Sequence, residues 1–311
     1  MVGLIILEPG PLATIQDLGR FGYAHLGISP CGAADSFSLR VANRLAGNPD
    51  SAPAIEMTQF GATIRFDQDL VCAITGAGVD AVLGEAPVPL WHALPARRGA
   101  VLRLGAFRNG IRCYLAVGGG IDVPAVLGSA ATDLGGGFGG LDGRALRRGD
   151  HLWVGKPVGS PSTIDARGLR YYVRPGQLRV TPGPQAGYFS AEAREVFFGS
   201  EYRVRDDSNR LGVRLAGAAV YPHAPVEVVT EGVSLGAVQI PPDGQPIILS
   251  VDRQTTGGYP KLCNVIAADL ARVGQLAPRS SLRFTEVDLD TARAALQERE
   301  AQLETMLAEV R

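Results

Sequence analysis

The sequence is poor in lysine. Only Lys156 and Lys261 are lysines among the 30 lysine and arginine residues of the 311-residue chain, and 31 acidic residues bring the formal net charge to −1. No run of basic residues occurs, so there is no electrostatic reason to expect nucleic acid or an anionic membrane as a partner. A small molecule or another protein is the expected partner.

Cysteine is scarce and scattered, and long hydrophobic runs are absent. The four cysteines form no Cys-x-x-Cys pair and follow no signal peptide, which predicts free thiols in a reducing cytoplasm. No apolar run reaches the roughly 20 residues that a membrane-spanning helix needs. The chain is therefore expected to be soluble and cytoplasmic.

Several signatures of catalysis and cofactor binding are also missing. The sequence has no Gly-x-x-x-x-Gly-Lys-Ser/Thr phosphate loop and no Gly-x-Ser-x-Gly turn, and its four histidines are isolated from one another and from the cysteines. ATP binding by this chain alone, serine hydrolase chemistry and a metal site are therefore not indicated. The glycine cluster at 135–140 fits Gly-x-Gly-x-x-Gly, but no helical pattern follows it, so a long turn is favoured over a dinucleotide site or a flexible lid.

Short apolar runs separated by glycine and proline recur in both halves of the chain. Many short strands at this spacing favour β-barrels over an alternating α/β sheet. Strands are predicted at 2–7, 12–15, 62–66, 70–75, 101–104, 112–117, 169–173, 178–181, 202–204, 226–229, 237–240 and 247–251. Helices are predicted at 33–45 with Asp35 or Ser36 as cap, at 186–198 and at 288–311. By strand alternation, Glu56 is expected to face solvent rather than to be a buried carboxylate with a partner.

These segments predict a mainly β protein of two β-barrel subdomains, a few helices and a C-terminal helix. A Gly-, Pro- and Ser-rich stretch at 156–167 marks a linker. The expected divisions are a β-rich half at 1–160, a barrel half at 168–286 and the helix at 287–311. An apolar side chain recurs every seven residues along this helix, at Leu289, Leu296, Leu303 and Val310. That stripe could contact another chain or pack on the protein's own barrel.

The clearest candidate site follows the predicted strand at 247–251. Asp252 ends that strand, and the polar and glycine residues that follow are Gln254, Thr255, Thr256, Gly257, Gly258 and Tyr259. A carboxylate, an amide, hydroxyls and free backbone N–H groups suit the binding of a small polar carbonyl compound. The same residues would also suit a plain turn, in which threonine and glutamine satisfy backbone groups.

A second polar cluster contains Gln16, Asp17 and Arg20 and is bracketed by glycines. Arg20 could pair with Asp17 across the turn, but we expect its planar guanidinium to bind a substrate carboxylate. The segments starting at Arg20 and Arg210 share the order Arg-apolar-Gly-apolar, a hint of duplication. The two arginines would then occupy equivalent turns and line one site together with Asp252.

Four segments, taken in order, resemble one family. They are Thr-Ile-Gln-Asp-Leu-Gly-Arg-Phe-Gly (14–22), Tyr-Leu-Ala-Val-Gly-Gly-Gly-Ile-Asp-Val-Pro (114–124), Ser-Asn-Arg-Leu-Gly-Val-Arg-Leu (208–215) and Asp-Arg-Gln-Thr-Thr-Gly-Gly-Tyr-Pro (252–260). They are similar to the biotin-dependent carboxyltransferase-like family, which includes the 5-oxoprolinase C subunit, KipA and part of urea carboxylase. The resemblance implies cyclophilin-like barrels and action on a small amide or lactam. Ala131 and Gly187 depart from relatives, which often carry a serine and an acidic residue there.

The resemblance implies three functions, of which one is favoured. The favoured function is that of the C subunit in an ATP-dependent complex that opens 5-oxoproline to glutamate. Its partners would be a KipI-like B subunit and an A subunit, with ATP bound at the level of the complex. The first alternative is carboxyl transfer from biotin carried by another subunit, because neither lysine lies in the Met-Lys-Met context of a biotin carrier. The second is a non-catalytic KipA-like protein that binds a KipI-like kinase inhibitor.

Under the favoured function, four residues are expected to stabilise the lactam oxygen. They act through the hydroxyls of Thr255 and Thr256 and the backbone N–H groups of Gly257 and Gly258.

Two arginines and two aspartates are expected to complete the site. Arg20 or Arg210 would hold the substrate carboxylate, and Asp17 or Asp252 would orient an arginine or act as a base. The remaining pocket-lining residues are expected to be Gln16, Ser208, Gln254 and Tyr259.

Overall fold

The structure is a computed structural model that describes residues 2–161, 176–224 and 228–308. Contacts divide these residues into two compact units. The first unit takes those within Met1–Arg20, Cys31–Arg170 and Gln302–Arg311, and the second takes those within Phe21–Pro30 and Tyr171–Ala301. Each unit is built on one barrel-like β-sheet and the chain has few helices, which confirms the predicted fold class.

The first unit is a ten-stranded sheet. Its strands are β1 (Val2–Glu8), β2 (Leu12–Gln16), β3 (Ala54–Thr58), β4 (Thr63–Phe66), β5 (Leu70–Leu83), β6 (Ala86–Pro87), β7 (Ala93–Ala96), β8 (Val101–Val117), β9 (Ile121–Asp122) and β10 (His151–Val154). The order is β2-β3-β8-β4-β1-β10-β9, and β5 pairs with β6, β7 and β8. Three predicted strands contribute the fully buried Ile6, Phe66 and Leu115 to its core, and β3, which was not predicted, contributes Ile55.

The two longest strands, β5 and β8, exceed their predicted lengths. β8 joins the predicted strands 101–104 and 112–117 into one strand of 17 residues, paired antiparallel with β5. In the middle of this pair Arg108 donates two hydrogen bonds to the carboxylate of Asp80, at 2.7 and 2.6 Å, on an exposed surface. Exposed strand residues need not be apolar, so the hydrophobic pattern stops where the strand continues.

The second unit contains a closed barrel. Its strands are β11 (Gln177–Pro182), β12 (Tyr202–Val204), β13 (Gly212–Ala216), β14 (Glu231–Gly232), β15 (Ala237–Gln239), β16 (Ile247–Leu249), β17 (Thr256–Gly257), β18 (Lys261–Val265) and β19 (Ser281–Glu286). The barrel order is β11-β18-β15-β16-β13-β12-β19, while β14 and β17 form a separate two-stranded ribbon. Aromatic rings fill the barrel core, where Phe197 stacks on Phe284 at 4.7 Å and lies 5.5 Å from Tyr202.

The α-helices of the described residues are α1 (Ser36–Leu45), α2 (Ala191–Gly199), α3 (Leu270–Gly274) and α4 (Leu289–Ala308). α1 begins three residues later than predicted because Asp35 is its cap and accepts a hydrogen bond from the Ser38 N–H at 3.0 Å. α2 begins five residues later than predicted because Ser190 caps it, and Ala186–Tyr188 forms a separate 3-10 turn. None of these helices is long and apolar enough to cross a membrane.

Two predicted strands fall wholly or partly outside the described residues. The strand at 169–173 lies outside them, as does the second half of the linker at 156–167. The strand at 226–229 is described only at its last two positions, which are not in a strand.

The prediction that Glu56 faces solvent is wrong. Its side chain is 1% exposed on β3, and the carboxylate accepts hydrogen bonds from the Tyr114 hydroxyl at 2.7 Å and the Ala34 N–H at 2.9 Å. Arg112 lies 3.5 Å away and balances the charge. Burial, followed by the nearby Glu56 charge, raises the pKa of Tyr114 well above its usual range. The alternation rule fails because α1 covers the second face of the sheet, where Leu39 packs near Tyr114.

The C-terminal helix α4 packs on its own chain. Ala295 is buried against Ile266 and Ala268, and Arg299 donates hydrogen bonds to the carbonyls of Ala267 and Ala268, both at 3.1 Å. The seven-residue stripe is only partly buried, since Leu303 is buried while Leu289 is exposed. Val310 lies outside the described residues.

Candidate functional site

The end of β16 carries an arginine–aspartate pair. The N–H groups of Ser250 and Asp252 donate to the carbonyls of Leu211 and Arg210 at 3.0 and 2.9 Å, which fixes the turn after β16 beside the residues that precede β13. The side chains then pair in parallel, with Arg210 Nε and Nη2 donating to Asp252 Oδ2 and Oδ1 at 2.8 and 2.9 Å. Both side chains are largely buried. Bidentate geometry of this kind fixes a guanidinium in one orientation, so Asp252 is placed to orient an arginine.

The loop at 254–259 presents polar groups at the surface. β17 lies within it and pairs with β14, and the Thr255 carbonyl accepts a hydrogen bond from the Val233 N–H at 3.0 Å. The backbone therefore holds the loop in place. The hydroxyls of Thr255, Thr256 and Tyr259 make no hydrogen bond to another described residue, and Tyr259 is 45% exposed.

Beside this loop lies a polar cluster that sequence reasoning missed. Lys261 is the first residue of β18, and its Nζ lies 2.6 Å from Oε1 of Glu231 on β14. Gln185 bridges the two residues, because its Nε2 donates to the same glutamate oxygen at 2.7 Å while its Oε1 accepts from the Lys261 N–H at 3.1 Å. Lys261 and Gln185 together lower the pKa of the Glu231 carboxyl. The rarity of lysine was the one sequence signal that could have marked this position.

The Asp17 carboxylate binds backbone and hydroxyl groups of the first unit. It accepts hydrogen bonds from the Gly19 N–H at 2.7 Å, the Ser129 hydroxyl at 2.6 Å and the Ala130 N–H at 2.7 Å. No ion pair between Asp17 and Arg20 is present in the described part of the chain, so the possible pairing across the turn does not occur. Asp17 ties the end of β2 to the segment that starts at residue 129.

Arg20 is buried, with 1% of its side chain exposed, and contacts the glycine-rich segment at 126–140. Nη2 donates to the Ala131 carbonyl, Nε lies 3.5 Å from the Val126 carbonyl, and the guanidinium carbon lies 4.8 Å from the ring centre of Phe138. Nη1 has no hydrogen-bond partner among the described residues. The glycine cluster is thus a turn held by an arginine, and the binding of a substrate carboxylate by Arg20 stays a prediction.

The remaining predicted residues, Gln16 and Ser208, bond to nearby protein groups. Gln16 is fully buried, and its Nε2 donates to the Thr132 carbonyl at 3.2 Å and the Thr14 hydroxyl at 3.1 Å. Ser208 donates to the Arg214 carbonyl at 3.2 Å and accepts from the Arg214 N–H at 3.0 Å. Both side chains stabilise local structure, and a role in substrate binding stays a prediction for each.

The segments starting at Arg20 and Arg210, which share a sequence pattern, differ in local structure. Arg210 leads directly into β13, whereas the segment after Arg20 continues into a 3-10 turn at Ala24–Leu26. The shared Arg-apolar-Gly order therefore does not correspond to a shared element. One site lined by both arginines remains a prediction.

The two departures from the family pattern lie in different surroundings. Ala131 is fully buried, its carbonyl accepts from Arg20, and its N–H donates to the Ser129 hydroxyl at 3.0 Å. A Cβ at Gly187 would meet no atom within 4 Å, so an acidic side chain would fit there.

The described ranges contain neither an exposed cysteine thiol nor a group of metal-binding side chains. All four cysteines are free and buried, and burial raises the pKa of Cys72 to about 12. No three histidine, cysteine, aspartate or glutamate residues within those ranges are grouped to hold a metal ion.

The fold and the polar loop define a class of protein. The two barrel-like sheets have the fold found in the crystal structure of the Kluyveromyces lactis urea carboxylase, with a TM-score of 0.93 and 31% identity over 98% of this chain and 29% of that chain. The chain belongs to the family described as carboxyltransferase domain, subdomain A and B, whose sequence model matches residues 26–286. The resemblance inferred from the four sequence segments is thereby confirmed.

Relatives that match along their whole length are subunits of one enzyme. The chain is 39% identical to the 5-oxoprolinase C subunit of Escherichia coli (strain K12) over 303 residues, which is 97% of each chain. It is 38% identical to the 5-oxoprolinase C subunit of Haemophilus influenzae over 287 residues, which is 92% of each chain.

A solved structure shares the whole fold. The chain superposes on the crystal structure of the K. lactis urea amidolyase with a TM-score of 0.93 and 31% sequence identity. The match covers 98% of this chain but only 20% of that protein, so the chain corresponds to about one fifth of the urea amidolyase.

Proposed function

We propose that this chain is the C subunit of an ATP-dependent 5-oxoprolinase complex, in which it helps to bind and activate 5-oxoproline for opening to glutamate. The observation that carries the proposal is the free Thr255 and Thr256 hydroxyls beside a fixed Arg210–Asp252 pair, in a chain similar over its whole length to 5-oxoprolinase C subunits. The expected partners are the A subunit and a KipI-like B subunit.

The loop at 254–259 carries hydrogen-bond donors of the kind that the opening of a lactam requires. An amide is a poor electrophile, and negative charge develops on its oxygen when a nucleophile attacks the carbonyl carbon. Hydrogen-bond donors held near that oxygen lower the barrier, and removal of one such donor typically costs about 10²–10³ in kcat. Thr255 and Thr256 are the proposed side-chain donors, with the N–H groups of Gly257 and Gly258 as backbone donors. Gln254 and Tyr259 are exposed beside them and would line the bound ring.

We assign Asp252 and Asp17 the role of positioning other groups of the protein. Asp252 holds the Arg210 guanidinium, and Asp17 holds the segment that Arg20 also contacts. Neither aspartate is proposed as the base.

ATP and biotin are not assigned to this chain. The glycine cluster at 135–140 forms hydrogen-bonded turns instead of opening a helix, so it does not fit a phosphate-binding loop. Lys261 is buried and ion-paired, so it does not fit an attachment point for biotin. Either cofactor would be held by another subunit.

The structural match to urea amidolyase favours a second candidate function. The same loop donors would then stabilise negative charge on a carbonyl oxygen during carboxyl transfer from biotin held elsewhere. A KipA-like protein that only binds a KipI-like inhibitor is the non-catalytic candidate.

Reconstitution separates these functions. The purified chain is mixed with the A and B subunits, ATP and 5-oxoproline, and glutamate release is measured against mixtures that each lack one component. Glutamate release that depends on this chain and on ATP is the expected result. A and B subunits that work at full rate alone would contradict the proposal, as would a stable three-subunit complex that releases no glutamate. Carboxylation of urea with a biotin-carrying partner would instead support the second candidate.

A further inference from the structure

A buried lysine next to the loop has an exposed partner. The Lys261 side chain is 2% exposed, and its Nζ is paired with Oε1 of Glu231, whose side chain is 43% exposed. An ammonium group out of water requires a charged or hydrogen-bonded partner. Nζ makes no hydrogen bond of normal geometry to any described residue, so the short contact with Glu231 leaves N–H donors unused. Lys261 therefore has capacity for a further anionic or carbonyl oxygen.

Gln239 places a second unused donor beside this lysine. It is paired with Lys261 across β15 and β18, which makes the two side chains neighbours. Gln239 is 1% exposed, and its Nε2 has no hydrogen-bond partner among the described residues. Most buried polar atoms in native proteins are satisfied, so such an orphan donor indicates a missing acceptor. A Cβ at Gly257 would lie 2.7 Å from this Nε2, which shows that the donor reaches the loop only because residue 257 has no side chain.

Both arginines of the predicted site are engaged elsewhere. Arg20 contacts the backbone of the first unit, and Arg210 is aligned by Asp252. Lys261 is a buried cation whose charged partner, Glu231, is exposed enough to turn into water once another anion takes its place at Nζ. Glu231 stands on a ribbon of two-residue strands, so its displacement disrupts little packing.

We propose that Lys261 and Gln239 form a carboxylate subsite for a small carboxylic acid, and that Glu231 occupies this subsite when no ligand is bound. The ligand carboxylate replaces the Glu231 carboxylate at Nζ, and Gln239 Nε2 donates to it. The charge balance at Lys261 is unchanged by the exchange. The assignment rests on the proposed function for the identity of the ligand, 5-oxoproline, whose lactam oxygen would then face Thr255 and Thr256.

The scarcity of lysine allows a direct test on the intact chain. Lysine labelled with ¹³C at Cε gives two signals, from Lys261 and Lys156, and Lys156 is exposed and serves as the internal control. The chain is titrated with 5-oxoproline, glutamate and acetate, both as wild type and as Glu231→Gln. We expect a saturable shift of the Lys261 signal alone with 5-oxoproline. Binding should be about fivefold tighter in Glu231→Gln, because an internal competitor is weakened.

Two substitutions complete the test. Lys261→Met should weaken 5-oxoproline binding, measured by calorimetry, by at least about tenfold, while Lys156→Met leaves it unchanged. If Lys261→Met does not fold, the titration of the wild-type chain decides alone. If the Lys261–Glu231 ion pair has only a structural role, Glu231→Gln should not bind 5-oxoproline more tightly than the wild type.

The outcomes separate the subsite from the proposed function. A Lys261 signal that responds to glutamate or acetate but not to 5-oxoproline supports the subsite and contradicts 5-oxoproline as its ligand. No response of Lys261 to any of the three acids, in either chain, overturns the subsite. If the reconstituted complex still hydrolyses 5-oxoproline in that case, the proposed function stands without it.

Discussion

The Arg210–Asp252 pair should be strongly coupled in its contribution to stability. Two charge-assisted hydrogen bonds of 2.8 and 2.9 Å join side chains that are largely withdrawn from water. Removal of one partner deprives the other buried charge of this ion pair, which typically costs about 3–5 kcal/mol. Removal of both avoids that cost, so Arg210→Met combined with Asp252→Asn should be less destabilising than the sum of the single changes by about 2–3 kcal/mol.

A double-mutant cycle measured by urea unfolding tests this coupling. Each single change removes a large part of a domain stability of about 5–15 kcal/mol, so the midpoint shifts should be easily resolved. The matched control is the exposed pair of Arg279 and Asp206, which has the same two-bond geometry at 3.2 and 3.1 Å. Its coupling should stay below about 1 kcal/mol. Equal coupling in the two cycles would refute the argument that burial gives the Arg210 pair its strength.

Three further predictions concern stability. Gly139→Ala should destabilise the first unit by about 1–3 kcal/mol more than Gly137→Ala, because both glycines have positive φ but only at residue 139 would a Cβ lie 2.1 Å from a carbonyl oxygen; equal unfolding midpoints would contradict this. Glu56→Gln should lower stability by about 3 kcal/mol, whereas the exposed Glu85→Gln should have little effect, and thermal unfolding of the two variants compares them directly. Burial raises the pKa of Tyr202 to about 12, so the stability that its neutral hydroxyl contributes is complete below about pH 10 and is lost as the pH rises through 12. In Tyr202→Phe the loss of stability between about pH 10 and pH 12 should therefore be smaller. An unchanged loss would show that Tyr202 does not cause the pH dependence.

Local sequence patterns predicted the parts of the fold that depend on neighbouring residues. Apolar runs located nine of the nineteen strands of the described residues, while β13, β18 and β19 of the barrel were not predicted. β16 ends at Leu249, two residues earlier than predicted, and Asp252 lies in the turn that follows it. Glu56 was misjudged because its burial depends on α1, which covers the sheet from a distant part of the sequence. The alternation of side chains along a strand assigns each residue to one of the two faces of the sheet. Whether both faces are buried depends on which other elements pack on the sheet.

The polar cluster around Lys261 could not be predicted for a similar reason. Glu231, Gln239 and Lys261 are separated along the chain, and they meet through the pairing of β14 with β17 and of β15 with β18. The second pairing also contains a register shift next to Gln239, which no periodicity argument anticipates. The candidate loop was thus visible in sequence, while the cation beside it was not.

We propose that the 254–259 loop stabilises negative charge on the lactam oxygen within a 5-oxoprolinase complex. The most direct test replaces both loop hydroxyls, as Thr255→Val with Thr256→Val, and measures kcat for ATP-dependent glutamate release by the reconstituted complex. We expect kcat to fall by at least about 100-fold, while assembly with the A and B subunits, measured by gel filtration, is unchanged. An assembled complex that keeps the wild-type kcat would contradict it.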